Sequence, residues 1–288
     1  KLLAFRQCPK RLWLEIHRAE LIEWSDQAQA SFLVGHEVGE IARKLYDPKG
    51  KGMVFDPGVE GYDEVVIRTD ELMDSPRPLF EAGFSACGAR VYVDALLPLR
   101  RKGRKVWRMV EVKSSTEVKD TYKDDVAIQA YVARTAGVKL DSVALAHIDS
   151  QWVYPGGGDY QGLLKEVDLT DDAFGLEKEA KRWIAAAQVI ARKRREPEID
   201  VGRQCSEPYP CGFLDYCQRD ADEVEFPVTW LPGNKNNKLR ALIEVDGVSD
   251  LREVPDELLN PRQLRVKTHT LAGSVYFNAD GAATRSEE

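Results

Sequence analysis

The sequence predicts an α/β fold, a mixed central sheet flanked by helices, with a small helical appendage behind it. Three observations carry this. β-rich runs near 79–87, 89–98 and 106–113 follow one another with only short connectors. Apolar residues at helical spacing flank those runs, and a short apolar run, Ser142-Val143-Ala144-Leu145-Ala146, returns as a buried strand after the next helix. After Pro227 the composition shifts to short leucine-centred segments. At 288 residues the chain is long enough for one large domain, placed at 1–223, and a small region at 224–288.

The elements follow in chain order. Cys8-Pro9-Lys10-Arg11-Leu12 reads as a helix start, with proline in the first turn. A second helix spans 27–46 and stops before Asp47-Pro48; its apolar stripe is Val34, Val38, Ile41, Ala42 and Leu45. At ~100° per residue, Glu37 falls roughly 80° from the stripe's centre, whereas His36 and Glu40 fall nearly opposite and should face water. Glu37 is either an acid aimed at the sheet or an ordinary flank glutamate. Gly35 and Gly39 would let this helix approach something closely. Tyr62, Val65, Val66, Thr69, Leu72 and Met73 predict a helix over 59–74, ended by Ser75-Pro76. The three strands come next, with Cys87 read as a small packed hydrophobe within them. A helix over 123–136 stops at Gly137. An outer hairpin is expected across Pro155-Gly156-Gly157-Gly158 within 151–170, then one long helix over 171–194 and a linker from Pro197 to Gln204. Two or three short helices fill 234–273, and the last ten residues read as disordered or artificial.

Hydrophobic residues at 43% and charged residues at 31% are ordinary for a soluble chain, and no run approaches the ~20 apolar residues of a membrane span. The formal net charge of −7 argues against a blanket polyanion binder. Local basic clusters at 100–105 and Arg192-Lys193-Arg194-Arg195 can still track a phosphate backbone, although each alone reads as a solvated loop or helix end. Five cysteines, an odd count with no export signal, point to a reducing, cytoplasmic setting and no membrane partner.

The chemistry centres on Glu111-Val112-Lys113, read with Asp94. Residues two apart on a strand share a face, so Glu111 and Lys113 point out of the sheet side by side. Asp94 ends the run Ala89-Arg90-Val91-Tyr92-Val93, and the glycine-bearing connector Arg100-Arg101-Lys102-Gly103-Arg104-Lys105 makes an antiparallel pairing plausible. Two carboxylates beside one lysine form a place to hold a divalent cation and ionise a water. A lone Glu-x-Lys is more often an exposed ion pair; the acid ending the preceding strand and the bracketing cysteines set this one apart.

Cys205, Cys211 and Cys217 stand within thirteen residues, among prolines and Gly212 that favour a loop wrapped around something. Their spacing is longer than that of zinc ribbons. With Cys8 they make a soft four-thiolate set suited to zinc or an iron–sulfur cluster. Such a site would clip the two ends of the domain together, and closing so long a loop is a structural contribution first.

Asp94 followed by Glu111-Val112-Lys113, in helix–strand–strand–strand–helix–strand order, resembles the PD-(D/E)xK nuclease superfamily. Gln129-Ala130-Tyr131 resembles the Gln/Tyr motif of its RecB-like branch, and Cys8 with the downstream trio resembles that branch's iron–sulfur members, including AddB-type and CRISPR-associated adaptation nucleases. The resemblance covers about 1–220 and implies a restriction-endonuclease-like core. It implies Mg2+ or Mn2+ on Asp94, Glu111 and the Val112 carbonyl, with Lys113 polarising the attacking water. It implies Gln129 and Tyr131 holding the strand or ordering the lysine, and Cys8, Cys205, Cys211 and Cys217 ligating a 4Fe–4S cluster. A metal-binding His expected four residues after a Gly is absent: counted from Gly35 that position is Gly39, and either Glu37 takes the role, as the helix face favours, or the site has one ligand fewer. Glu81 fits an acidic position of the branch, or pairs with Arg90.

The resulting expectation is a metal-dependent deoxyribonuclease, an exonuclease on single strands or ends, with Arg100 and Arg101 guiding the backbone and protein partners in a repair or CRISPR-like pathway. The alternative is a nuclease-like fold used only to bind DNA or as a scaffold, against which the intact Asp/Glu/Lys set speaks. A zinc-stabilised enzyme with the same site is a third reading.

Overall fold

A computed structural model of the chain describes residues 1–219, 224–233, 236–244 and 246–277. The chain divides into two compact units, one of Lys1–Asp200 with Gln204–Asp215, the other of Val201–Arg203 with Tyr216–Glu288.

The first unit opens with α1 (Leu2–Gln7) and α2 (Pro9–His17). They meet at Cys8, whose extended backbone breaks the helix and caps α2, with Pro9 at the first helical position. In α3 (Asp26–Tyr46) the Ser25 hydroxyl accepts the Ala28 N–H and sets the start. Then come β1 (Met53–Val54), α4 (Pro57–Glu60) and α5 (Tyr62–Leu72). The single helix expected over 59–74 is broken at Gly61, whose φ of 95° leaves the helical region.

β2 (Leu79–Ala86), β3 (Ala89–Arg101) and β4 (Arg104–Lys113) are joined by two tight hairpins. Both residues of each turn have positive φ, Cys87 and Gly88 at 51° and 70°, Lys102 and Gly103 at 50° and 78°. That is the demand of a two-residue turn matched to strand twist. Cys87 is therefore an exposed turn residue, not the packed strand residue expected, and most of the 100–105 connector belongs to the strands.

α6 (Asp120–Thr135) crosses over to β5 (Leu140–Ile148), which lies parallel to β4 as a helical crossover requires. β6 (Leu164–Asp168) then runs antiparallel to β5. The expected 151–170 hairpin supplies only this one strand; ahead of it Trp152, Tyr154 and Tyr160 stack on one another and hold 151–163 as irregular turns. The long helix expected over 171–194 is two, α7 (Thr170–Gly175) and α8 (Glu177–Ala191), parted at Leu176. The result is a six-stranded mixed sheet in order β1-β2-β3-β4-β5-β6. One face buries Met109, Val143 and Leu145 against Val126 and Val132 of α6. The other buries Phe80, Ala95, Val110 and Ala144, with Tyr46 of α3 packed against them.

α9 (Leu214–Gln218) spans the division between the units. The second unit holds α10 (Asn237–Glu244) and α11 (Pro261–Leu271), around a small core of Val228, Leu239, Leu251 and Val254. Asn260 and Gln263 form a reciprocal capping box at the start of α11. The short helices expected over 234–273 are thus present, while the tail expected to be disordered and the 223/224 boundary lie outside the described residues. No described helix is long and apolar enough to cross a membrane.

A candidate active site where the sheet ladders part

Asp94 belongs to neither ladder of its own strand. Pairing between β2 and β3 is present at Phe80↔Ala95 and Ala82↔Val93 and skips the position between. Pairing between β3 and β4 begins at Ala95↔Val110. Extending both registers by one residue sets Glu81 and Glu111 on either side of Asp94. Glu81 itself has φ 55°, a left-handed backbone rare for a residue with a side chain. A buried backbone N–H left without a strand partner needs another acceptor. Asp94 provides it: its Oδ2 accepts the Val112 N–H at 2.7 Å. The N–H and C=O of one strand residue point to the same neighbouring strand, so the Val112 carbonyl turns toward β3 as well.

Strand alternation then presents Glu111 and Lys113 together. Lys113 Nζ lies 2.6 Å from Glu111 Oε1 and 2.7 Å from Asp125 Oδ2. Asp125 is an acid the sequence reading missed. It stands four residues before Gln129 on α6, hence on the same helix face. That spacing, an Asp one turn ahead of the Gln, was the available signal. Gln129 Nε2 donates to Glu111 Oε2 at 2.8 Å, and lies 3.4 Å from Asp125 Oδ1. Its Oε1 is buried with no hydrogen-bond partner among the described residues.

The charges are out of balance. Burial, then the neighbouring Glu81 charge, push the Asp94 carboxyl from 3.8 up to about 7, against the pull of Lys113. Burial and then Asp94 raise Glu111 well above the usual carboxylate range. Glu81 is raised by burial and then by Glu111, with Arg43 of α3 opposing. Burial disfavours the Lys113 ammonium, but Glu111, Asp125 and Asp94 outweigh it and hold the proton on. The carboxylates want more positive charge than one lysine supplies.

α3 closes the Asp94 side. A cavity of about 220 Å³ lies between Gly35, His36, Gly39 and Arg43 of the helix and Glu81 and Asp94 of the sheet. This corrects the reading of α3. Glu37 is exposed and does not line the cavity, whereas His36, exposed as expected, stands at the cavity's edge. The apolar stripe misled because its N-terminal end is not in contact with the sheet: Leu33 and Val34 are exposed, and the buried residues are Val38 and Ala42. Neither glycine is required by close approach, since a Cβ at Gly39 would meet nothing within 4 Å and one at Gly35 only Ser114 Oγ at 3.8 Å, an ordinary contact.

Three further expectations are corrected. Tyr131 is buried in the core, its hydroxyl 3.6 Å from Cys87 Sγ, because residues two apart on a helix face different ways. Arg100 and Arg101 lie at the far end of β3, ~20 Å from Asp94 at about 3.3 Å per residue. Arg101 pairs with Asp141 there, and Lys105 donates to the Met73 carbonyl behind α5. Arg90 pairs with Asp63, leaving Glu81 to the acidic row.

Of the four cysteines, Cys8 is buried, and Cys205 and Cys211 are half-buried. Gln7 Nε2 donates to the carbonyls of Gln204 and Tyr209, both at 2.7 Å, and so ties the 204–211 loop to the first helices. The Cys211 N–H closes the loop on the Cys205 carbonyl at 2.8 Å. Burial raises the Cys211 thiol, and the Cys205 and Cys8 sulfurs add to that rise. Cys217 lies on α9.

No protein-family model matches the chain, and no curated protein matches it.

A raised carboxyl pKa means the folded state favours the protonated form. The stability this gives is complete below about pH 4 and is lost as pH rises toward about 7. For Asp94 the whole loss is at most ~4 kcal/mol. Asp94→Asn keeps an oxygen for the Val112 N–H and removes the ionisation. Urea unfolding in EDTA should show this variant gaining on the wild type between pH 5 and pH 8; an equal difference at both pH values would refute the charge imbalance.

Proposed function

We propose that this chain is a metal-dependent DNA nuclease of the PD-(D/E)xK type, RecB-like, built on a restriction-endonuclease-like core and acting on single strands or ends. The observation that carries the reading is the Asp94–Val112 hydrogen bond, which brings Asp94, Glu111 and Lys113 to one place. The donors fit a hard cation. Carboxylates of Asp94 and Glu111 and the Val112 carbonyl are the oxygens that Mg2+ and Mn2+ take, and the excess of negative charge is what a dication offsets. His36, at the cavity wall, takes the place first given to Glu37.

A divalent cation bound there supplies Lewis acidity and an ionised water. The rest is the work of the chain. Glu111 is fixed by Gln129 on one oxygen and by Lys113 on the other. Asp125 keeps Lys113 aimed and charged. Fixed positive charge beside the reacting phosphate stabilises the negative charge that grows in the transition state. Cys8, Cys205, Cys211 and Cys217 are assigned to a 4Fe–4S cluster. Soft thiolate donors suit such a group, and the Cys211 thiol, pushed up by burial with the Cys205 and Cys8 sulfurs adding to the rise, would be held as thiolate by it. Protein partners in a repair or CRISPR-like pathway belong to the same proposal.

End-labelled single- and double-stranded DNA incubated with Mg2+ or Mn2+ tests the site. Cleavage should require the metal and stop in EDTA. Asp94→Ala and Lys113→Ala should lower it by about 100-fold or more, and Tyr131→Phe should leave it intact. Undiminished cutting by pure Asp94→Ala protein would overturn the assignment. Separately, protein purified without oxygen should absorb at roughly 400 nm as thiolate-bound iron–sulfur clusters do, and Cys8→Ser should lose that band; colourless wild-type protein carrying zinc would replace the cluster with a zinc site.

A further inference from the structure

A second cavity is lined by Lys113 and not by Asp94. It holds about 610 Å³ and has Lys113, Ser114 and Tyr122 on its floor. Trp24, Phe32, Arg6 and Tyr209 also line it. Volume and lining are those of a ligand site, mostly apolar with a few placed polar groups.

Its walls have an unusual chemistry. Trp24 and Phe32 meet edge to face, centroids 5.0 Å apart at 87°, and remain 37% and 54% exposed. Large rings left open at the mouth of a charged site are binding surface more often than waste. Lys119 stands just outside the lining, its Nζ 5.9 Å from the rings of both Tyr122 and Tyr209, which do line the cavity, and it is ion-paired to no carboxylate among the described residues. Arg6 and Arg11 are held by Asp124 and Glu15 at 2.9 and 3.0 Å. Exposed pairs of the Arg6–Asp124 kind are weak, so an incoming phosphate can take the arginine at little cost. Open rings interleaved with cations are the composition that grips an unpaired nucleic-acid strand, bases on the rings and phosphates on the cations. A duplex keeps its bases stacked inside and has nothing to offer Trp24 or Phe32.

Resting on the nuclease reading above, we infer that this groove is the substrate track. The substrate is single-stranded DNA, with Trp24 and Phe32 as its base-stacking platform and Lys119 as a phosphate contact. The strand reaches Lys113 from the groove, and Asp94, on the wall of the cation cavity, acts on the same ammonium.

Binding measured in EDTA separates the track from catalysis. Fluorescence anisotropy of dye-labelled dT12 should show the wild type binding it at least about 10-fold tighter than a 12-base-pair duplex of mixed sequence. Trp24→Ala and Phe32→Ala should each weaken dT12 binding about 5- to 100-fold, Trp24→Phe should restore most of it, and Lys119→Gln should lower its salt dependence. Thermal unfolding of each variant checks that the fold survives. Equal affinity for dT12 in wild type and both folded alanine variants, or a preference for the duplex, would overturn the track. Wild-type hydrolysis of bis(p-nitrophenyl) phosphate with Mn2+ reports on the cation site alone. Hydrolysis without ring-dependent binding leaves the nuclease and removes the track; ring-dependent binding without hydrolysis does the reverse.

Discussion

Three carboxylates, those of Glu111, Asp125 and Asp94, act on the one ammonium of Lys113, and a fourth, Glu81, presses on Asp94. The rest of the site follows from that imbalance. Burying charge without a partner is expensive, and groups so placed neutralise themselves or capture a counter-ion. Here the acids do some of both, drawing Lys113 between Glu111 and Asp125 and holding protons well above the usual range. The arrangement is enforced from the backbone. Asp94 stands where both ladders of β3 are interrupted, and its carboxylate replaces the strand partner that the Val112 N–H lacks. A side chain bound into a ladder cannot turn away to relieve repulsion.

The pairing of Glu111 with Lys113 was legible in the sequence because a strand has a period of two. Glu111 and Lys113 had to share a face, and the glycine-bearing turn at Lys102-Gly103 had to return β4 alongside β3. Helical positions were less legible. Gln129, expected to hold the strand or order the lysine, donates to Glu111 instead; Tyr131, two residues on, points into the core, and Asp125, one turn back, was not identified. The α3 face was misjudged because a stripe of apolar residues does not say which part of it reaches the sheet. The small residues Gly35, Gly39 and Ala42 line the cavity with His36, while the larger apolar residues toward the N-terminus stay open.

The basic cluster at 100–105 shows a different limit. Sequence proximity to both site strands suggested a guide for the backbone, yet a hairpin puts its turn at the end opposite its termini. Those residues serve local ends instead, Arg101 pairing with Asp141 and Lys105 with the carbonyls behind α5. The exposed Phe32 at the start of α3, no part of the expected stripe, gains a use in the groove beside Lys113. Lys113 lines the ring-bearing groove, while Asp94, whose charge helps hold the Lys113 proton on, lines the acidic cavity under α3, two surroundings that a linear reading does not join.

The claim underneath is that the acidic row is built to hold a divalent cation. Electron paramagnetic resonance of Mn2+ titrated into the protein at pH 7.5 measures this directly, because bound Mn2+ loses the sharp six-line signal of the free ion. Saturable binding in the wild type, abolished in a folded Asp94→Asn/Glu111→Gln variant, is the result the account requires. A free-ion signal that grows identically with wild type and variant would contradict it.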